Sequence, residues 1–221
     1  MKLNEYVYLY LSPEQGENNC NSIVIDGKVP LLIDPGRQGA LAGLMQSMDA
    51  DGFDPSSIKL VIATHAHPDH MEGTVPFARA GAKIAISQQE ERYMENEMRP
   101  MYVQQGQSMP EYMVDFWLTD GTLNLGKHEF RIIHGPGHSP GSLCIYWSRF
   151  RILVAGDVVF AGGVGRSDLP GGNGKQLKES IDRLSGLPVE FLIPGHGSPV
   201  QGAKENADNF IHVKNLFLQG L

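Results

Sequence analysis

Cysteine is scarce in this chain of 221 residues: Cys20 and Cys144 are the only two, and they form no C-x-x-C pair. Cys144 falls in an apolar stretch and reads as a small core residue. With so little cysteine, a cytoplasmic home follows by default. Long apolar runs are also missing, since none approaches the ~18 residues of a membrane helix. The first such stretch, Tyr6-Val7-Tyr8-Leu9-Tyr10-Leu11, comes after Asn4 and Glu5 and reads as a strand, not as a signal peptide. Basic residues are in deficit, 18 against 25 acidic, for a formal net charge of −7. That removes the global positive footprint of a nucleic-acid binder. Linkers and low-complexity tracts are absent. The 41% of hydrophobic residues can build a real core, and the length suits a single domain spanning 1–221.

Strand patterns dominate the first part. Cys20–Asp26 and Val29–Asp34 flank a Gly27-Lys28 turn and read as a hairpin. Leu41, Leu44, Met45 and Met48 recur at helical spacing, and Leu60-Val61-Ile62-Ala63 reads as a buried strand. A short helix over 74–80 and a strand over 82–87 follow. The segment 88–120 breaks the rhythm. It opens on Gln88-Gln89-Glu90-Glu91-Arg92, is rich in Met, and carries Tyr102, Tyr112, Phe116 and Trp117 among Pro100, Gly106 and Pro110. It is expected to be a helical insertion. Its apolar side chains either line a substrate cavity or pack the insertion onto the body. Strands then return at 128–134, 143–147, 151–155 and 191–193, with helices at 175–184 and 203–218. The two halves repeat a grammar of strands, helix, strand and polar loop, without exact sequence repeat.

The chemistry concentrates at the strand ends. Directly after the Leu60–Ala63 run stands Thr64-His65-Ala66-His67-Pro68-Asp69-His70, three imidazoles and a carboxylate within six residues. Pro68 forbids a helix through the middle of the cluster, so it sits on a strand-to-helix loop. Imidazole with carboxylate suits zinc, iron or manganese. His138 (in Gly137-His138-Ser139-Pro140-Gly141), Asp157 (after Gly156) and His196 (between Gly195 and Gly197) share the pattern of a ligand-type side chain beside glycine. Five of the eight histidines lie in these loops. His128, His134 and His212 fall on strands or the last helix and are given no role.

This set of motifs, from about Asn21 to His196, resembles the metallo-β-lactamase superfamily. The resemblance implies an α/β fold, an αββα sandwich of two facing mixed sheets with helices outside and metals at one edge. It implies two divalent ions, zinc in the first instance with iron or manganese also suited. His65, His67 and His138 would hold the first, Asp69, His70 and His196 the second, and Asp157 would bridge. Asp69 and Asp157 would be the catalytic carboxylates, and Asp34 would support the His loop from behind. Two such ions, about 3.5–4 Å apart, can hold a hydroxide at neutral pH for attack on an ester-type carbonyl.

Within the superfamily the match is similar to the glyoxalase II-like hydrolases. Gly163-Val164-Gly165-Arg166-Ser167-Asp168 and the following Leu169-Pro170-Gly171-Gly172 resemble a loop of their short bacterial members. Arg166 and Asp168 stand where the full-length enzymes place a Lys and a Tyr for glutathione, and are the expected substrate-binding residues. Only 25 residues follow His196, too few for the helical domain that completes a glutathione site. The expectation is therefore metal-dependent hydrolysis of a thioester or related ester. The alternative is a mononuclear-iron persulfide dioxygenase using His65, His138 and Asp157. The expected partner is a small-molecule substrate, with no nucleic acid and no membrane; the sequence is silent on oligomeric state.

Overall fold

The computed structural model describes residues 1–12 and 19–218. Short runs of Val, Ile and Leu build two six-stranded sheets. The first contains β1 (Val7–Tyr10), β2 (Ser22–Ile25), β3 (Leu31–Ile33), β4 (Leu60–Ile62), β5 (Lys83–Ser87) and β6 (Phe116–Leu118), in that spatial order. β1 to β3 pair antiparallel and β3 to β6 parallel. The second sheet contains β7 (Gly121–Leu125), β8 (His128–His134), β9 (Leu143–Trp147), β10 (Ile152–Gly156), β13 (Phe191–Pro194) and β14 (Val200–Gln201). Only β10 and β13 run parallel there. A two-stranded ribbon, β11 (Val159–Phe160) with β12 (Gly163–Val164), lies beside it.

Side-chain alternation fixes how these sheets face each other. In β8, His128, Phe130 and Ile132 are buried while Glu129 and Arg131 are exposed. Phe130 and Ile132 join Leu31, Ile33, Leu60 and Ile62 of the first sheet in the central cluster between the sheets. The intervening residues, Leu32 and Val61, point to the other face, where they meet Leu41 and Met48 of α1 (Leu41–Ala50) and Phe77 of α3 (Thr74–Arg79). Both faces of the parallel strands are thus covered, which is why they read as unbroken apolar runs. On the far side of the second sheet, Leu153 and Leu192 pack against Leu177 and Ile181 of α6 (Gly174–Leu184) and Phe210 and Val213 of α7 (Ala203–Leu218). The result is an αββα sandwich, as the sequence implied.

The segment 88–120 contains two structures where only helices were expected. α4 (Gln88–Tyr93), a π-helical stretch at Met94–Met98 and α5 (Arg99–Gln104) form one continuous helical rod. Phe116–Leu118 is β6, an edge strand. Its three residues, two of them exposed aromatics, are too short to show a two-residue period. Trp117 therefore belongs to a sheet edge and donates its Nε1–H to Glu91 (2.6 Å). Among the described residues, no helix is long and apolar enough to cross a membrane.

Phe130 is 1% exposed at the centre of the sandwich. Phe130→Ala should destabilise the fold by about 3–5 kcal/mol, read as a lower urea midpoint at unchanged slope. A loss under ~1 kcal/mol would mean that the two sheets do not pack through this residue.

Candidate metal centre

Five strands end on the same rim, and each hands a polar residue to it. Asp34 follows β3, the His loop follows β4, His138 follows β8, Asp157 follows β10 and His196 follows β13. Pro68 occupies the first position of α2 (Pro68–Met71), where its missing N–H costs nothing. His65 and His67 therefore lie on extended loop, and Asp69 and His70 on the first helical turn. Glycine allows the loops to meet: a Cβ on Gly195 would stand 2.1 Å from Asp157 Oδ1, and one on Gly137, at φ +132°, 2.1 Å from the Leu177 backbone nitrogen.

Hydrogen bonds on the outer side of the rings decide where the lone pairs point. His138 Nδ1 donates to the Arg166 carbonyl (2.7 Å), His196 Nδ1 to the Asn19 carbonyl (3.0 Å) and His70 Nδ1 to Asp34 Oδ2 (2.9 Å). Thr64 Oγ1 donates to Asp34 Oδ2 (2.7 Å), which leaves its oxygen to accept from His65 Nδ1 (3.1 Å). In the neutral rings the inward nitrogens of these four histidines are acceptors, and they crowd together. His138 Nε2 is 3.2 Å from His65 Nε2 and 2.9 Å from His67 Nδ1, and His70 Nε2 is 3.3 Å from His196 Nε2. Asp157 stands between the two groups, 3.4 Å from His70 and His196 and 3.5 Å from His138. Its Oδ1 is buried without a hydrogen-bond partner. Asp69 Oδ2 is 3.4 Å from His196 Nε2. Acceptors facing acceptors in a buried space call for cations. Among the described residues, three groups have ligand atoms close enough to hold one: His65, His67 and His138; His65, His70 and Asp157; Asp69, His70 and His196. The donor set is imidazole and carboxylate, which fits zinc, iron or manganese.

All seven ligand-type residues singled out in the sequence meet here. Arg166 and Asp168 do not enter in the same way. Arg166 reaches the rim of the cavity above the centre, but its guanidinium is held by Asp168 in a two-point pair (2.8 and 2.9 Å) with both side chains 68% exposed. What Arg166 gives the centre is its backbone carbonyl, which orients His138. His128 and His134 lie on β8 and His212 on α7, outside the cluster. Both cysteine thiols are buried, and burial pushes Cys20 up to about 11 and Cys144 to about 12.

Asp34 and Glu90 brace the loops from behind. Asp34 sits in the left-handed region at φ 52°, a conformation Asp tolerates. It accepts from the Thr64 N–H (2.7 Å) as well as from Thr64 Oγ1 and His70. Glu90 was not singled out in the sequence, where it stands in a polar Gln-Gln-Glu-Glu run that looks solvated. It is fully buried. Its Oε2 accepts from the Ala66 N–H (2.8 Å), between His65 and His67, and its Oε1 from the Gly141 N–H (2.5 Å), in the His138 loop. Burial pushes its carboxyl upward, and the bonds from Ser139, Ala66 and Gly141 oppose the shift. The sequence signal was its position: it follows Ser87, whose side chain caps α4 through the Glu90 N–H, and so must lie on the first turn next to a strand end.

The two halves of the centre carry different proton loads before metal enters. Burial and neighbouring rings push His67 down to about 4, and burial first pushes His65 and His138 down as well. Burial also pulls on His196, but the bonds to Asp157 and Asp69 outweigh it and raise it to about 9. His70 is raised too, against its burial, by Cys20 and then by the Asp157 and Asp34 carboxylates. Asp69 is lowered to about 2 despite burial, first by its bond to His196.

Cation uptake at Asp69, His70 and His196 must therefore displace protons, whereas uptake at His65, His67 and His138 need not. In titrations of metal-free protein between pH 6 and 8, affinity of the proton-loaded group should rise by roughly tenfold per pH unit or more. That of the three-histidine group should stay nearly flat. Equal pH slopes for both would contradict this division. Glu90→Gln places an amide N–H against one of two backbone N–H groups. It should weaken metal binding at the three-histidine group about 10–100-fold in a chelator-competition titration, and unchanged affinity would show that the brace is dispensable.

Comparison with known proteins agrees with the fold. The family model of the metallo-beta-lactamase superfamily matches residues 15–196. A probable metallo-hydrolase of Methanocaldococcus jannaschii is 32% identical over 204 residues, covering 89% of this chain and 92% of that protein. The hydroxyacylglutathione hydrolase GloC of Haemophilus influenzae is 29% identical over 207 residues, covering 90% and 95%. The crystal structure of TTHA1623 in a di-iron-bound form superposes with a TM-score of 0.72 at 30% identity, covering 88% of this chain and 96% of that one. With its two mixed sheets and a ligand-rich rim where the strands end, the chain belongs to the metallo-beta-lactamase superfamily.

Proposed function

We propose that this protein is a metal-dependent hydrolase of thioesters or closely related esters. The observation that carries the reading is the set of inward-facing lone pairs beneath an open cavity of about 420 Å³. His65, His67 and His138 would hold one divalent ion, Asp69, His70 and His196 a second, and Asp157 would touch both. When bound, such ions polarise a carbonyl oxygen and make water acidic enough to attack it at neutral pH. Zinc, iron and manganese all suit the donors.

The remaining roles fall to the chain itself. The cavity lining offers no hydroxyl or thiol among the described residues, so water is the nucleophile available. Asp69, held near 2, stays ionised at working pH and serves as an acceptor that orients this water. It does not store its proton. Asp157 keeps its charge at the centre of the cluster, lowered well below the usual carboxylate range by His70 and His196 although burial opposes this. The likeness to a hydroxyacylglutathione hydrolase supports a thioester as substrate.

Chelator treatment should abolish thioester hydrolysis, and zinc, manganese or iron should restore it. Asp157→Ala should reduce metal content at both positions and lower turnover by ~10² or more. Turnover by demonstrably metal-free protein would contradict the proposal. So would a single bound iron with oxygen uptake on a persulfide and no ester cleavage.

A further inference from the structure

Beside the cavity over the metal centre lies a second one, of about 270 Å³. His67, Pro68 and Leu169 line both, so the two are separated only by a shared ridge. The second cavity's other walls come from the 88–104 rod and the Leu169-Pro170 turn: Tyr93, Met98, Met101 and Tyr102, with Gln105 and Gln107. Tyr93 is fixed by its hydroxyl donating to the Pro170 carbonyl (2.7 Å) and by ring contact with His67 at 6.3 Å. Tyr93 and Met98 are buried against Ala66 and Met71 of the His loop, so this wall is built into the support of the centre. Its polar side chains are the Gln105 and Gln107 amides, the Tyr93 and Tyr102 hydroxyls and the His67 imidazole, with no carboxylate, lysine or arginine among the described lining residues. Apart from histidine, the single basic side chain lining either cavity among the described residues is Arg166. Its guanidinium is already committed to Asp168.

We infer that this second cavity receives an uncharged, apolar arm of the substrate, so that the preferred substrates are neutral aliphatic or aryl thioesters and not conjugates of an anionic peptide thiol. The inference rests on the hydrolase reading above. In the reaction, water adds to the thioester carbon, a C–O bond forms, the C–S bond breaks, and the proton released by water ends on the thiolate leaving group. Acid and thiol are the products. The carbonyl must sit over the centre, and the Met and Tyr cavity adjoins it across His67, Pro68 and Leu169. A carboxylate entering it would meet no free cation and would lose its hydration. A methylene entering it loses water-exposed apolar surface against Met98 and Tyr93, with Met101 37% exposed at the edge. Methionine walls adapt to arms of differing shape.

The cavity is tested by calorimetry with non-cleavable thioethers carrying methyl, butyl or hexyl arms. One series is extended on the side matching the acyl group and another on the side matching the thiol, and each is repeated on a glutathione-type tripeptide. The matching thioesters are assayed for turnover in parallel. Affinity should rise about fourfold per methylene in one of the two series, which identifies the arm that enters, and the tripeptide should add nothing. Met101→Arg should reduce the hexyl-to-methyl affinity ratio about tenfold or more by placing a charge in the wall. Trp117→Ala, outside the lining, should leave that ratio unchanged. Flat affinity in both series, or a gain of tenfold or more from the tripeptide, overturns the inference even if thioesters are hydrolysed. Rising affinity without any turnover upholds the cavity and removes the hydrolase reading instead.

Discussion

The fold of this protein depends at its rim on one constraint: acceptor atoms are forced together. Outer hydrogen bonds to the Arg166 and Asn19 carbonyls, Asp34 and Thr64 assign the protons of four imidazoles to the side away from the centre. What remains inside is a set of lone pairs and carboxylate oxygens 2.9–3.5 Å apart. Such an arrangement is unfavourable in a buried space unless positive charge fills it. In the metal-free chain protons on His70 and His196 supply part of that charge. Metal ions would supply more of it and release the protons.

The sandwich makes this possible because its strands do not depend on the rim for their own stability. Phe130, Ile62, Ile33 and Ile145 fill the interior, and helices cover both outer faces. The strand ends can then carry short loops whose backbone groups are tied down one by one. Asp34 holds the start of the His loop, and Glu90 ties that loop to the His138 loop. Asn21 donates its Nδ2 to the Pro194 and Gly197 carbonyls and so holds the His196 loop (3.0 and 2.9 Å). Three buried polar side chains thus position three ligand loops, at a desolvation cost that the surrounding core supports.

Much of this was legible in the residues. Apolar runs ending in the His cluster or in one of three ligand-plus-glycine motifs located four of the strand ends, and β8 and β9 fall at the expected bounds. The sandwich followed from the family resemblance. Periodicity could not show the role of Glu90, because a buried carboxylate that accepts two backbone N–H groups looks in sequence like any acidic helix start. It could not show β6 either, whose pairing to β5 is set by the sheet edge and not by its own pattern. The apolar residues of segment 88–120 take different places. Met94 and Met109 are buried packing, Met101 and Tyr102 face a cavity, and Trp117 does neither. Arg166 and Asp168 were read as substrate-binding residues from the loop resemblance, and their pairing with each other was visible only once the loop had a shape.

Anomalous diffraction from crystals of the zinc- or manganese-loaded protein tests the central claim most directly. The account predicts two ions in the rim: one contacted by His65 Nε2, His67 Nδ1 and His138 Nε2, the other by Asp69, His70 Nε2 and His196 Nε2, with Asp157 reaching both. An ion bound through an outward ring nitrogen, or no ion between these side chains at saturating metal, would contradict it.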